Sequence, residues 1–177
     1  METTLTPGTG MTGSAEEEAD FVQWRARVAG TNISEQSLLA TDYLNHFNEI
    51  VMLLELVPDM PEILDEVKEW RAKDYCQHFR DSSFSDKELA IEAYGHVPSR
   101  FRIPFEETIA RMDGLVADSI RRLDAGLESG APAEELGEVA RMASRNLQRL
   151  MDHASAIIHG SQSRLDQAEI DSLLGGV

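Results

Sequence analysis

The stretch AEELGEVARMASRNLQRLMDHASAII, residues 133–158, decides the fold. Its apolar positions Leu136, Val139, Ala140, Ala143, Leu147, Leu150, Met151, Ala154 and Ile158 recur mostly at steps of three and four. That spacing lines one face of an α-helix and leaves the acidic, basic and amide side chains opposite. A stripe this long needs a partner, and Ile109, Met112, Val116, Ile120, Leu123 and Leu127 supply one on a helix expected over Phe105 to Leu127. Gly130 and Pro132 mark the turn between the two.

Working outward, a helix is expected from a cap at Asn32, with Glu35 three residues on, through Leu39, Tyr43, Phe47, Ile50, Leu54 and Val57 to Pro58. A shorter helix follows from Met60 to Trp70, with Pro61 in its first turn and Ile63, Leu64, Val67 and Trp70 buried. Residues 71–84 mix aromatic and polar types without a period, and Cys76 there reads as a small buried side chain. Ser85 precedes a short helix over Asp86 to Tyr94 that Gly95 ends. Arg100 and Arg102 read as part of a helix-entry loop after Pro98. No run alternates at period two for long, so the fold class is all-α: a helical bundle with extra short helices.

The two ends differ from this middle. Residues 1–19 carry Thr, Gly, Pro and Ser and the run Glu16-Glu17-Glu18, which is too little apolar surface to offset ordering. With Phe21, Val22, Trp24 and Val28 added, residues 1–30 are expected to form a disordered or loosely packed arm. Residues 31–160 form the bundle, and residues 161–177 a flexible linker with a short amphipathic helix.

Composition narrows the function classes. Acidic residues outnumber basic ones 32 to 16, a net charge of −16 that repels phosphate backbones and anionic lipid. Nucleic-acid and membrane partners are therefore not expected; the charge serves solubility or steers a basic partner. The longest apolar run, Ile50 to Leu54, falls far short of the roughly 20 residues that span a bilayer. The single cysteine and the polar start, without a signal-peptide pattern, point to the cytoplasm.

The tail carries the most functional information. Asp166 can cap a two-turn helix with Glu169, and Ala168 or Ile170 with Leu173 and Leu174 form a narrow apolar strip between acidic residues. So short a helix is unstable alone and is suited to ordering in a partner's groove; packing of its leucines back on the bundle is the other option. The run Gln167-Ala168-Glu169-Ile170-Asp171, followed by Leu173-Leu174, resembles the peptide of the flagellar switch protein FliM that binds phosphorylated CheY. Leu165-Asp166 stand where that family has Leu-Ser. Its position at the carboxyl end, after a linker, is similar to that of the docking peptide of the phosphatase CheZ. The resemblance covers about twelve residues and implies a CheY-type response regulator as partner. It implies that Ile170, Leu173 and Leu174 enter an apolar groove, with Glu169 and Asp171 facing basic side chains. CheZ dimerises through its helices, so a homodimer is one option for the oligomeric state.

A phosphatase of this kind needs an amide to orient water and an acid to pair with the regulator's lysine, both on one helix face. The Asp-x-x-x-Gln pair of CheZ is absent. Asp42-x-x-Asn45 copies the Glu-x-x-Asn spacing of the unrelated CheC, CheX and FliY phosphatases, with Asp for Glu. His46 and Asn48 also lie within reach of Asp42 along a helix, so the candidate catalytic residues are Asp42, Asn45 and His46. A solvated polar face is the alternative for all of them. No cofactor of the chain's own is expected; Mg2+ would belong to the regulator. A non-enzymatic adaptor or scaffold in chemotaxis or switch complexes is the second functional option. A di-iron bundle built from Asp42, His46, Glu49, Asp152, His153 and His159 is disfavoured because no Glu-x-x-His occurs.

Overall fold

A computed structural model describes residues 10–161 and Ser172. The described residues form seven α-helices and two 3₁₀ turns, with no strand. The helices are α1 (Gly10–Val28), α2 (Asn45–Leu56), α3 (Leu64–Glu69), α4 (Tyr75–Asp81), α5 (Lys87–Tyr94), α6 (Ser99–Glu128) and α7 (Ala133–Ile158). The expected all-α bundle is what the chain forms.

The two long helices, α6 and α7, make the most extensive pairing and fold back on each other through a short turn. That turn is a left-handed cap: Gly130 has φ +73°, its N–H donates to Leu127 C=O, and Ala131 N–H reaches back to Gly126 C=O at 2.8 Å. The helices approach so closely at Gly126 that an added Cβ would stand 2.6 Å from Leu136 Cδ2. Helix α2 lies along α7, and Glu55 joins them by accepting from Ser144 Oγ at 3.0 Å and Gln148 Nε2 at 2.9 Å. Phe47, Leu54, Phe105, Met112, Leu123, Leu147 and Leu150 are fully buried where these three helices meet. A second core centre is aromatic, with Tyr43, Phe47, Tyr75 and Phe105 in tilted and edge-on contacts of 5.4 to 6.1 Å.

Several boundaries differ from the sequence expectation, each for a local reason. The helix expected from Asn32 begins only at the 3₁₀ turn Thr41–Leu44. Leu38, at φ +68° and fully buried, cannot lie in a right-handed helix. Ser37 holds the loop there, donating its hydroxyl to Ile158 C=O and accepting Leu39 N–H. Helix α6 starts six residues before Phe105. Pro104 lies inside its second turn, where it takes away the N–H that would bond Arg100 C=O, yet the helix runs through it, and Arg100 and Arg102 are helical.

The segment expected as an arm differs most. From Gly10 to Val28 it is a helix that buries Phe21, Trp24 and Val28. The acidic run is not simply solvated. Glu17 accepts from the N–H of Ser99 at 2.7 Å and from its hydroxyl, and Glu18 pairs with Arg100 at 2.9 Å. Carboxylates thus meet the positive amino end of α6, and the hydrogen bonds from the Ser99 hydroxyl and N–H, with Arg100 and Arg102 nearby, hold Glu17 below the usual carboxylate range. Trp24 stacks on His96 at 4.2 Å, and Asp20 lies 2.6 Å from His96 Nδ1.

Candidate functional site

Asp42 lies in the 3₁₀ turn and Asn45 at the first residue of α2, so the pair sits at that helix's amino end. The three-residue spacing works as expected: Asn45 Nδ2 donates to Asp42 Oδ1 at 3.1 Å. The chain of contacts runs further. Asn48 Nδ2 donates to Asn45 Oδ1 at 3.2 Å, and on the other side His78 Nε2 lies 3.1 Å from Asp42 Oδ2. The Asn45 amide is therefore held by both neighbours while its residue stays exposed.

Asp42, Asn45 and Asn48 form one wall of an open groove of about 640 Å³, whose other wall is α7 through Met151, Asp152 and Ser155. Asn32 and Thr41 close one end. The same two residues line a smaller adjoining cavity with Ile158 and His159, where α7 ends. Gly160, at φ +107°, ends that helix with its N–H donated to Ile157 C=O, and Ser161 N–H returns to Ala156 C=O at 2.9 Å. The end of α7 thus lies beside the groove.

His46 does not share the groove. Its ring stacks on Trp70 at 4.6 Å, and its Nε2 accepts the N–H of Lys73 at 3.2 Å. Burial, reinforced by His78 and Lys73, pushes its pKa down to about 4. The lone pair that would orient water is already used, so the candidate set loses His46 to the core. Of the metal alternative, Asp42 and Asp152 face one groove, whereas His46 is turned inward. Among the described residues no group of three His, Cys, Asp or Glu side chains is placed to hold a common ion.

His78 is the site residue that the sequence reading missed. It belongs to α4, in the stretch where no period was visible. A sequence signal did exist: Asp74 stands three residues before Gln77 and accepts its N–H at 2.8 Å, as an amino-terminal cap does. The five tail residues Glu169, Ile170, Asp171, Leu173 and Leu174 lie outside the described residues.

Chemically, the groove offers a held amide, a carboxylate fixed by two partners and further hydroxyl and amide groups. This suits polar contact with another protein's surface or orientation of a water. It contains no nucleophile activated by a base. Comparison with protein-family models, with curated proteins and with solved structures finds no match.

Proposed function

We propose that this chain is a chemotaxis accessory protein that captures a phosphorylated CheY-type regulator with its carboxyl-terminal peptide. The observation that carries the reading is the run Gln167-Ala168-Glu169-Ile170-Asp171 with Leu173-Leu174, an acidic strip with one apolar edge. The position of the last helix's end supports it. The end of α7 lies beside the groove of Asp42 and Asn45, so a regulator held by a peptide joined to that end through a short linker would meet the groove at about millimolar effective concentration. A modest second contact then suffices.

The test is a titration of CheY, with and without a phosphoryl analogue, against the intact protein and a form ending at Gly160. The expected result is tighter binding of the analogue-loaded regulator by the intact chain and a loss of that binding on truncation. Equal affinity of both forms removes the docking role.

A second reading, that the complex also speeds hydrolysis of the regulator's aspartyl phosphate, is favoured by the exposed, doubly held amide of Asn45 beside Asp42. Following phosphate decay with the intact protein, Asp42→Ala and Asn45→Ala decides it. Acceleration lost in the Asn45 variant supports catalysis; no acceleration by the intact protein leaves an adaptor that links the regulator to a switch or receptor complex.

A further inference from the structure

Six large apolar side chains are exposed among the described residues, and three of them fall on one line. Met52 is 62% exposed, Leu56 43% and Met60 42%, whereas Val22, Ile103 and Leu127 stand on α1 and at opposite ends of α6. Met52 and Leu56 are one turn apart on the solvent side of α2, opposite the buried Phe47, Ile50 and Leu54. Met60 continues the line, because its N–H bonds Leu56 C=O at 2.8 Å and the backbone so makes one more turn after the helix ends. The stripe is about 12 Å long at 1.5 Å per residue. A single exposed apolar residue is ordinary on a protein surface, but a row at successive turns is what one helix offers another.

The flanks carry one sign of charge. Between Asn45 and Val67 the chain has six acidic residues and no lysine or arginine. Glu49 and Glu55, three residues before and after Met52, border the stripe on its two sides, and Asp59 and Glu62 follow at its far end. All four are exposed, and among the described residues none is ion-paired. Glu55 accepts from the uncharged Ser144 and Gln148 and keeps its charge. On the helices packed beside α2, Arg141 is paired with Glu138, which Arg145 also attracts, and Lys68 is paired with Asp124.

This combination selects the occupant. A second copy would set the same acids against themselves, in a chain whose charge of −16 already repels its like. A stable dimer also buries about 800 Å² per partner, more than one short stripe supplies. The chain's own carboxyl-terminal strip carries Asp166, Glu169 and Asp171 beside its leucines and meets the same repulsion, as does an anionic lipid surface. A helix with one apolar edge and lysines or arginines on both flanks matches each feature in turn. Methionine side chains adapt to the apolar shapes such an edge presents.

We propose that the outer face of α2 docks a basic amphipathic helix of a partner protein, with its apolar edge on Met52, Leu56 and Met60 and its cations against the flanking acids. The face shares a helix with the Asp42 groove but does not depend on the regulator-binding reading.

The experiment titrates the full chain at physiological salt with a labelled peptide of two Leu-Lys-Lys-Leu-Leu-Lys-Leu repeats, read by fluorescence anisotropy. Two controls accompany it: a scrambled peptide whose leucines form no face, and a version with glutamate for every lysine. Saturable binding at least about tenfold tighter than either control is expected, with amide shift changes centred on residues 48–62. The double variant Met52→Gln, Leu56→Gln is expected to lose about tenfold or more; both side chains are exposed, and circular dichroism checks that the core is kept. Glu49→Gln with Glu62→Gln leaves the apolar stripe intact and is expected to weaken the lysine peptide several-fold. Absence of saturable binding overturns the proposal, and so does a control peptide that binds as tightly. Unchanged affinity in the folded Met52→Gln, Leu56→Gln variant, or shift changes centred elsewhere, overturns it too. Self-association of the free chain that the same variant abolishes assigns the stripe to a second copy and likewise overturns it.

Discussion

Replacing Asp113 by asparagine should stabilise this protein at neutral pH and do so less as the pH falls. Burial raises the carboxyl from its ordinary 3.8 to about 6, so the folded state disfavours the ionised form. In the unfolded chain the group ionises near its ordinary value. The resulting penalty on the fold is absent below pH 3.8, grows between there and about 6, and is complete above it. Its ceiling is about 3 kcal/mol at ~1.4 kcal/mol per tenfold. The residue keeps part of its solvent contact, and the screening this brings reduces the figure to about 1–2 kcal/mol. Asparagine is nearly isosteric and carries no charge, so the variant escapes this cost. Urea unfolding at pH 7.5 should therefore give a gain of about 1–2 kcal/mol, and at pH 5.0 about half of it. The charged groups that line the same depression, Lys73, Asp74 and Glu106, are the same in both proteins and cancel to first order. No gain at pH 7.5, or an equal gain at both pH values, refutes the reasoning.

His46 contributes in the opposite sense. Its folded pKa of about 4 lies below the ordinary 6.5, so its contribution is full above 6.5 and is lost as the pH falls through about 4. Its imidazole resonances should accordingly stay in the neutral form down to about pH 5. Phe47→Ala empties a fully buried site between α2 and the aromatic cluster and should cost about 3–5 kcal/mol in denaturant unfolding. Ser37→Ala strips a buried hydroxyl from Ile158 C=O and from Leu39 N–H. It should cost about 1–3 kcal/mol and speed hydrogen exchange at Leu39. Trp24→Ala should act locally: amide protection across α1 falls, while that of α6 and α7 is kept, because α1 touches the rest mainly at α5 and the start of α6.

Much of the architecture was legible because a long amphipathic helix states its own period. The stripe of residues 133–158 predicted α7 to its observed ends, and the short helix before Gly95 needed only a shift of one residue. Where the reading slipped, the deciding contact was distant in sequence. The loop before α2 is held by Ile158, more than a hundred residues away, and the acidic run of α1 is ordered by Ser99 and Arg100. Both segments look like something else when taken alone.

The candidate site divides the same way. Asp42 and Asn45 were readable because residues three apart meet both in an α-helix and in the 3₁₀ turn that leads into α2. The sequence by itself determined an all-α bundle, a strongly acidic surface and an acidic, apolar-edged tail, since composition and periodicity are local properties. Only the tertiary structure decided that His46 belongs to the core, that His78 holds Asp42 while α7 completes the groove, and that Asp113 has one buried oxygen without a partner. Those outcomes depend on which helices pack together, and packing is settled by side chains that the chain brings together only when it folds.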